Sequence, residues 1–508
     1  MITKVSSLAF SGINIIDVDV QVKIEPGIPK FTIVGLADKT IAESKERVSA
    51  ALSSIGLSLP AKKILINLAP ADLVKEGSHF DLPIAVSILA SLGALPKEEI
   101  ANYLILGELS LDGSILPVTG ALPVAMGATA RGKGVICGSK NGPEAAWSGN
   151  DDILAPNNLI ELINHFKGTQ VLSKPKAGIF NKDIKYPDLK DIKGQAIAKR
   201  ALEIAAAGGH NLLMFGPPGS GKSMLASRLP GIMPELSSEE ILECSTVSSI
   251  AGLISDGELT SKRPFRSPHH SCTSAAMVGG GASRRVKPGE ISLSHNGVLF
   301  LDELPEFSSG VIEALRQPLE TKEVAISRSG SHITYPANFQ LIAAMNPCKC
   351  GYLNDSHKSC SRAPSCAANY QAKVSGPILD RFDLHIEVGN QNEEYAYEHM
   401  LQQNSNEEPS ASVAARVKRA QELQAKRYEG YSIKLNNMLD GQLIIDYAIP
   451  VDDGKDILNE AAKKFRLSMR AYNRILRVAR TIADLDASNH VKKNHIAEAL
   501  SYRQMNYA

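Results

Sequence analysis

A chain of 508 residues with 44% apolar and 21% charged side chains is long enough for two or three globular domains, and its composition excludes disordered and fibrous classes. Its 55 Lys and Arg balance 54 Asp and Glu, so no global field draws it to a polyanion, and any such contact has to come from local patches. Residues 1–20 lack a basic stretch followed by an apolar core, the uncharged runs 82–96 and 113–130 are short or broken, and four of seven Cys cluster at 348–366; a cytoplasmic protein with a metal site is expected, without a membrane span or a disulfide framework.

Residues 1–165 alternate short apolar runs with Gly and Pro. Ile13 to Ile24, Phe31 to Val34, Lys63 to Leu68, Tyr103 to Leu106 and Gly134 to Cys137 read as strands. Thr40 to Ile55 places Ile41, Val48, Leu52 and Ile55 on one side of a helix, and Leu82 to Leu92 is apolar enough to be a buried helix. An α+β domain is expected. The segment Gly107-Glu-Leu-Ser-Leu-Asp-Gly-Ser-Ile-Leu-Pro-Val-Thr-Gly120, followed by Ala125 to Gly132 and Val135-Ile136, resembles the proteolytic domain of Lon-type proteases, a relative of ribosomal S5 domain 2. The catalytic pair of that family does not carry over. Gly77-Ser78-His79 puts His79 at the nucleophile position, and Leu122 falls where the Lys should be. Ser78 beside it has no Lys to deprotonate it. The resemblance therefore implies a non-proteolytic domain used for binding or assembly. Residues 166–190, with Gly, Pro and Lys but no periodicity, are expected to be a linker.

Residues 191–390 carry the nucleotide chemistry. Asp191-Ile-Lys-Gly194-Gln195 precedes a helix from about Ala196 to Ala207, with Asp191 or Lys193 near its start. The run Leu212 to Phe215 is a buried strand. It feeds Gly216-Pro217-Pro218-Gly219-Ser220-Gly221-Lys222-Ser223, a complete P-loop pattern. The glycines permit the positive φ values that aim successive backbone N–H groups at one phosphate. The following helix adds its positive dipole end. Lys222 is expected on the β- and γ-phosphates of ATP, and Ser223 on Mg²⁺. Val298 to Leu301 is a second buried strand and ends in Asp302-Glu303. Asp302 suits the Mg²⁺ shell, and Glu303 the general base that polarises water.

These two motifs, with Asn346 after the strand Gln340 to Met345 and a Gly-Gln turn before the first helix, resemble the AAA+ ATPases. The resemblance implies that Asn346 is the sensor that positions the attacking water. Ser375-Gly-Pro-Ile-Leu-Asp-Arg381-Phe-Asp resembles the arginine-finger segment of magnesium chelatases and minichromosome-maintenance helicases. It implies that Arg381 reaches the γ-phosphate of a neighbouring subunit, unless it is a structural ion pair with Asp380 or Asp383. A narrower match comes from Arg266-Ser-Pro-His-His270, Val278-Gly-Gly-Gly281, Pro288-Gly-Glu-Ile-Ser-Leu-Ser-His-Asn-Gly297, Leu304-Pro-Glu-Phe307 and Arg316-Gln-Pro-Leu-Glu320, in that order. Together with the front half they resemble the YifB/ComM family of magnesium-chelatase-like proteins. That implies a homo-hexameric ATPase acting on single-stranded and branched DNA, driving branch migration in homologous recombination as in natural transformation. A chelatase-like protein or metal-insertion remodeller is the alternative, against which the Lon-like front half and the Cys loop count. An ATP-dependent protease is a third reading, against which the missing Ser-Lys pair counts.

A DNA motor needs basic groups on loops. Lys262 to Gly289 holds six Lys or Arg and no Asp or Glu, and Arg284, Arg285 and Lys287 follow a Gly-Gly-Gly run. Val324 to Tyr335 reads as a hairpin around Ser329-Gly330, with Arg328 near its tip. These resemble the helix-2 insert and the pre-sensor-1 hairpin of chelatase-type AAA+ proteins. Phosphate contact there is one reading, and solvated or inter-subunit charge is the other. Cys348, Cys350, Cys360 and Cys366 lie in one loop and suit tetrahedral Zn²⁺, with His357 a substitute for one thiol.

Residues 391–508 begin with a polar, acidic stretch and continue as helices at Val413 to Tyr428, Asp456 to Phe465, Met469 to Leu485 and His490 to Tyr502. They fit the helical lid of an AAA+ module. Ser468-Met-Arg470 resembles sensor 2, which implies a nucleotide-contacting role for Arg470, with Arg474 one turn later able to take it.

Overall fold

A computed structural model describes residues 2–36, 38–182, 184–280, 286–328, 331–351, 353, 365–389 and 407–503, with backbone only for Arg328 and Ser331. Two sheets organise it. The first is a seven-stranded mixed sheet of β1 (Ile2–Ser11), β2 (Asn14–Glu25), β3 (Lys30–Val34), β4 (Lys63–Ala69), β5 (Tyr103–Ile105), β6 (Gly134–Ile136) and β7 (Ile153–Leu154), in the order β3-β4-β2-β1-β5-β6-β7. The long pair β1–β2 is antiparallel from Ile2↔Lys23 to Ser11↔Asn14 and closes through Gly12 and Ile13. Strand period 2 shows in β2, where Val18, Val20 and Val22 are fully buried and Asp17, Asp19 and Gln21 alternate with them.

Helix α1 (Lys39–Ser54) and helix α2 (Asp81–Ser91) pack on this sheet. Ten of the eleven residues of α2 are buried, so it needs no polar face, and its first residue, Asp81, is satisfied by Arg47 at 2.6 and 2.9 Å. Helices α3 (Ala121–Ala130) and α4 (Leu159–Phe166) complete this part. The sequence reading starts its first strand at Ile13 and misses β1. The reason is Ser7, a polar residue at a core-facing position that breaks the apolar alternation. Its hydroxyl donates to Ile105 O at 2.8 Å.

The expected linker is a strap tied to the core. Phe180–Asn181 pairs in parallel with Leu259–Thr260, and the Tyr186 hydroxyl accepts the Arg263 backbone N–H at 2.9 Å. Beyond it, helix α5 (Ala196–Gly208) leads into the second sheet. This sheet is parallel and consists of β8 (Leu212–Phe215), β9 (Phe265–Arg266), β10 (Val298–Leu301), β13 (Gln340–Met345) and β14 (Leu384–Glu387), in the order β9-β10-β13-β8-β14. Helix α6 (Lys222–Arg228) follows β8, and helix α7 (Ser238–Ala251) follows it with a Ser237–Glu240 capping box. Between β10 and β13, β11 (Glu323–Arg328) and β12 (Ser331–Pro336) form the expected hairpin.

The last segment is helical: α8 (Ser410–Arg427), α9 (Gln442–Ala448), α10 (Gly454–Phe465), α11 (Met469–Leu485) and α12 (Lys493–Ser501). Helix α9 is absent from the sequence reading because its seven residues are too few to show a period. Buried Asp484 of α11 ties α8 to α11 through Arg427 and also pairs with Arg480 one turn earlier in its own helix. No helix among the described residues is long and apolar enough to cross a membrane.

Candidate nucleotide site

The C-terminal ends of parallel strands carry the P-loop chemistry. After β8, Gly219 and Gly221 take φ values of +79° and +88°, and α6 begins at Lys222. The Lys222 ammonium donates to Gly216 O at 2.9 Å, Pro217 O at 2.8 Å and, more weakly, Asn346 Oδ1 at 3.3 Å. Burial pulls its pKa below the usual lysine range, against the opposing attraction of Asp302 and Glu303. Ser223 Oγ donates to Asp302 Oδ2 at 2.6 Å, so the two oxygens expected on Mg²⁺ converge. That donor set, a hydroxyl and a carboxylate beside a lysine and a turn of backbone N–H groups, fits a magnesium–nucleotide complex.

Glu303 has φ +53°, and its backbone N–H donates to Asp302 Oδ1 at 3.0 Å. Its carboxylate lies 3.4 Å from His270 Nδ1. The sequence reading quotes His270 in a motif and gives it no role. Only the strand register of the folded chain reveals it. Arg266 pairs with Leu299 across β9 and β10, and His270 and Glu303 each lie four residues further on. The Gly-Gln turn before α5 also reaches across, since Gln195 Nε2 donates to Gly389 O at 3.1 Å and Gly194 N to Glu407 Oε1 at 2.8 Å.

Arg381 and Arg470 are elsewhere. They line a cavity of about 570 Å³ together with Glu320, Lys322, Asp383, Asp440, Arg474 and Arg477. Arg381 pairs with Glu320, so the ion pair weighed for it with Asp380 or Asp383 is not the one formed. Arg474 occupies those carboxylates instead, at 4.0 and 3.5 Å. Burial raises the Asp383 carboxyl, but His210, Arg474 and Arg477 overcome this and hold it at about 2. Burial also lowers Lys322. Arg381 Nε and Arg474 Nη1 are buried and lack a hydrogen-bond partner among the described residues. Asn211, which precedes β8, donates from its side chain to Arg381 O at 2.9 Å, and Asp383 precedes β14. The cavity therefore sits at the N-terminal ends of strands whose C-terminal ends hold the P-loop.

Cys348, Cys350 and Cys366 bring their sulfurs within 4.8 Å of one another, and Cys348 is buried. Thiolates about 2.3 Å from one zinc ion would stand about 3.8 Å apart; the donor set suits the metal, but Cys348 and Cys350 Sγ stand 2.9 Å apart and would have to separate to bind it. Cys360 and His357 lie outside the described residues. Gly351 abuts Pro218, so the cysteine turn touches the P-loop. Arg284 and Arg285 also lie outside the described residues, as does the Arg328 side chain. Lys287 is exposed and pairs with Gly280 across a short antiparallel ladder, and Tyr335 on β12 donates to Val286 O at 2.8 Å, joining the two basic excursions.

In the front half, His79 is buried with Nε2 at 3.0 Å from Leu8 O, Leu122 is fully buried, and Ser78 donates to Glu108. The partner of Ser78 is thus a carboxylate and not the lysine of the Lon-type pair.

Three family models match the chain: "Magnesium chelatase, subunit ChlI" over residues 188–396, "Subunit ChlI of Mg-chelatase" over 20–141, and "Magnesium chelatase, subunit ChlI C-terminal" over 407–503. The chain is 43% identical over 499 residues to YifB of Salmonella typhimurium, covering 98% of this chain and 96% of that one. It is 42% identical over 514 residues to the competence protein ComM of Haemophilus influenzae, covering 99% and 97%. A more distant likeness, 24% identity over 221 residues, links 42% of this chain to 25% of the DNA replication licensing factor Mcm6 of Drosophila melanogaster.

Proposed function

The chain belongs to the YifB/ComM family of magnesium-chelatase-like proteins, and from that membership we propose that it is a hexameric AAA+ ATPase that moves on DNA and promotes branch migration during homologous recombination. The observation that carries the reading is the division of the site between two ends of one sheet. Arg381 lies at the opposite end of the parallel sheet from its own P-loop, which supports a finger that serves another copy. A ring supplies that copy at every interface.

Ser223 and Asp302 would hold Mg²⁺, which supplies neutralisation of charge on the phosphate oxygens. Lys222 exchanges its carbonyl partners for the β- and γ-phosphates. Asn346 orients the water, and Glu303 accepts its proton, with His270 against the carboxylate. Arg381, drawn from Glu320, and Arg470 meet the γ-phosphate of the adjoining subunit. Lys287, Arg284, Arg285 and Arg328 would track the DNA backbone without reading sequence. Cys348, Cys350 and Cys366, with Cys360, would hold structural Zn²⁺ beside the P-loop.

The competence protein's name and the likeness to a replication licensing factor support DNA as the partner. The chelatase-like remodeller stays the second reading, because a chelatase family model covers residues 20–141 as well and the front half does not separate the two. The test is strand exchange on a labelled three-strand junction with ATP, with Glu303→Gln as control. Conversion by the wild type alone supports the motor. Hydrolysis of ATP with no conversion by the wild type moves the remodeller to the front.

A further inference from the structure

The front domain has no role in the scheme above, yet it touches the motor at two separated places. At one, α3 packs on α7. There the buried carboxylate of Glu144 accepts the backbone N–H of Leu122 at 3.1 Å and the hydroxyl of Ser249. Nearby, Trp147 Nε1 donates to Gly257 O at 2.8 Å. At the other, the turn between β1 and β2 abuts β12. Gly12, at φ +67°, comes so close that a Cβ built on it would collide with Thr334 O and lie 3.2 Å from Ile333 Cγ2. Phe10 and Ile13 pack against the apolar cluster that contains Val324, Ile326 and Tyr335 of the hairpin.

Phe10 is itself held from behind. Its ring meets that of His79 edge-on, with centroids 5.8 Å apart, and fills the space a side chain at Gly120 would need. His79 and the Gly120 turn occupy the positions where the Lon-type family keeps its nucleophile and approaches its lysine. Here they back the residue that carries the contact with the hairpin.

We propose that the front domain is a brace: anchored on α7, it holds β12 through the Gly12–Ile13 turn and so fixes the 323–336 hairpin relative to the nucleotide sheet. The consequence for DNA movement rests on the reading of that hairpin as a DNA contact. A hairpin held on one edge loses little entropy when it grips a strand, and it transmits a displacement where a free hairpin would bend.

The test uses the full chain with Gly12→Asn. Asn tolerates a positive φ, so the turn still forms, but its Cβ cannot share space with Thr334 O. Ile13→Ala, which trims the contact without strain, repeats the test should Gly12→Asn fail to fold. Hydrogen exchange of the 323–336 backbone is expected to rise by about tenfold or more, because exchange there reports local opening. DNA-free ATP hydrolysis should stay within about twofold of wild type, and junction conversion should slow by about fivefold or more, about 1 kcal/mol of lost restraint. Unchanged hairpin exchange in a folded variant overturns the brace, and raised exchange with wild-type junction conversion overturns its coupling to DNA. If wild-type protein converts no junction, the DNA reading fails on its own, and the exchange result still decides the brace.

Discussion

The two ends of the core sheet are built differently. At the C-terminal ends, Lys222, Ser223, Asp302 and Asn346 are bonded to one another or to the P-loop backbone, and Glu303 has His270. At the N-terminal ends, five cations line a cavity with three carboxylates, and two guanidinium nitrogens are buried without a hydrogen-bond partner among the described residues. The polar groups of the first end are partnered within one molecule. The second has a surplus of positive charge in a partly desolvated space, where an anion would gain most. In the ring proposed above, the two ends would meet at each interface.

The hardest way to break that comparison is to remove the finger. Arg381→Ala is expected to lower kcat for ATP by about 10³–10⁵, the range for such arginines, with nucleotide binding retained in a fluorescent-analogue titration. Glu303→Gln should lower it by about 10²–10⁴. Mixing the two inactive proteins sharpens the point. A P-loop from the Arg381→Ala chain beside a finger from the Glu303→Gln chain is an intact site, so activity should return. Failure to return would place both groups in one molecule's site. His270→Asn should change kcat by on the order of tenfold and leave KM for ATP unmoved, a fraction of what the general base itself supplies. Should the cysteine turn hold zinc as proposed, a strong chelator is expected to release about one metal per chain and to weaken ATP binding in the fluorescent-analogue titration. The smallest effect belongs to Glu320→Gln. Glu320 is 57% exposed, so losing its pair with Arg381 should change unfolding free energy by less than about 1 kcal/mol in a denaturant titration.

The cysteine loop shows how far residue types alone carry. Three thiols expected from spacing to share a site do converge, but nothing in the spacing places them against Pro218 of the P-loop. His270 is the converse case. Its motif was visible, yet its meeting with Glu303 depends on the register of β9 against β10, which only pairing sets.

What the sequence determined by itself is local. Glycine φ freedom, the run of a buried strand into a turn, and helix periods of the lid act over a few residues, so the P-loop, the Asp302-Glu303 strand end, the 323–336 hairpin and α11 were legible before any fold was known. What tertiary structure decided is everything set by which strands become neighbours and in which direction they run. Because β8 and β14 run parallel, Arg381, which leads into β14, lies at the far end of the sheet from Lys222, which follows β8, and Arg470 lines the same cavity. The two-residue turn at Gly12 falls on β12, a contact made at the end of β1, the strand hidden from sequence by Ser7. Long-range pairing is a property of the whole chain's burial, and no window of sequence contains it.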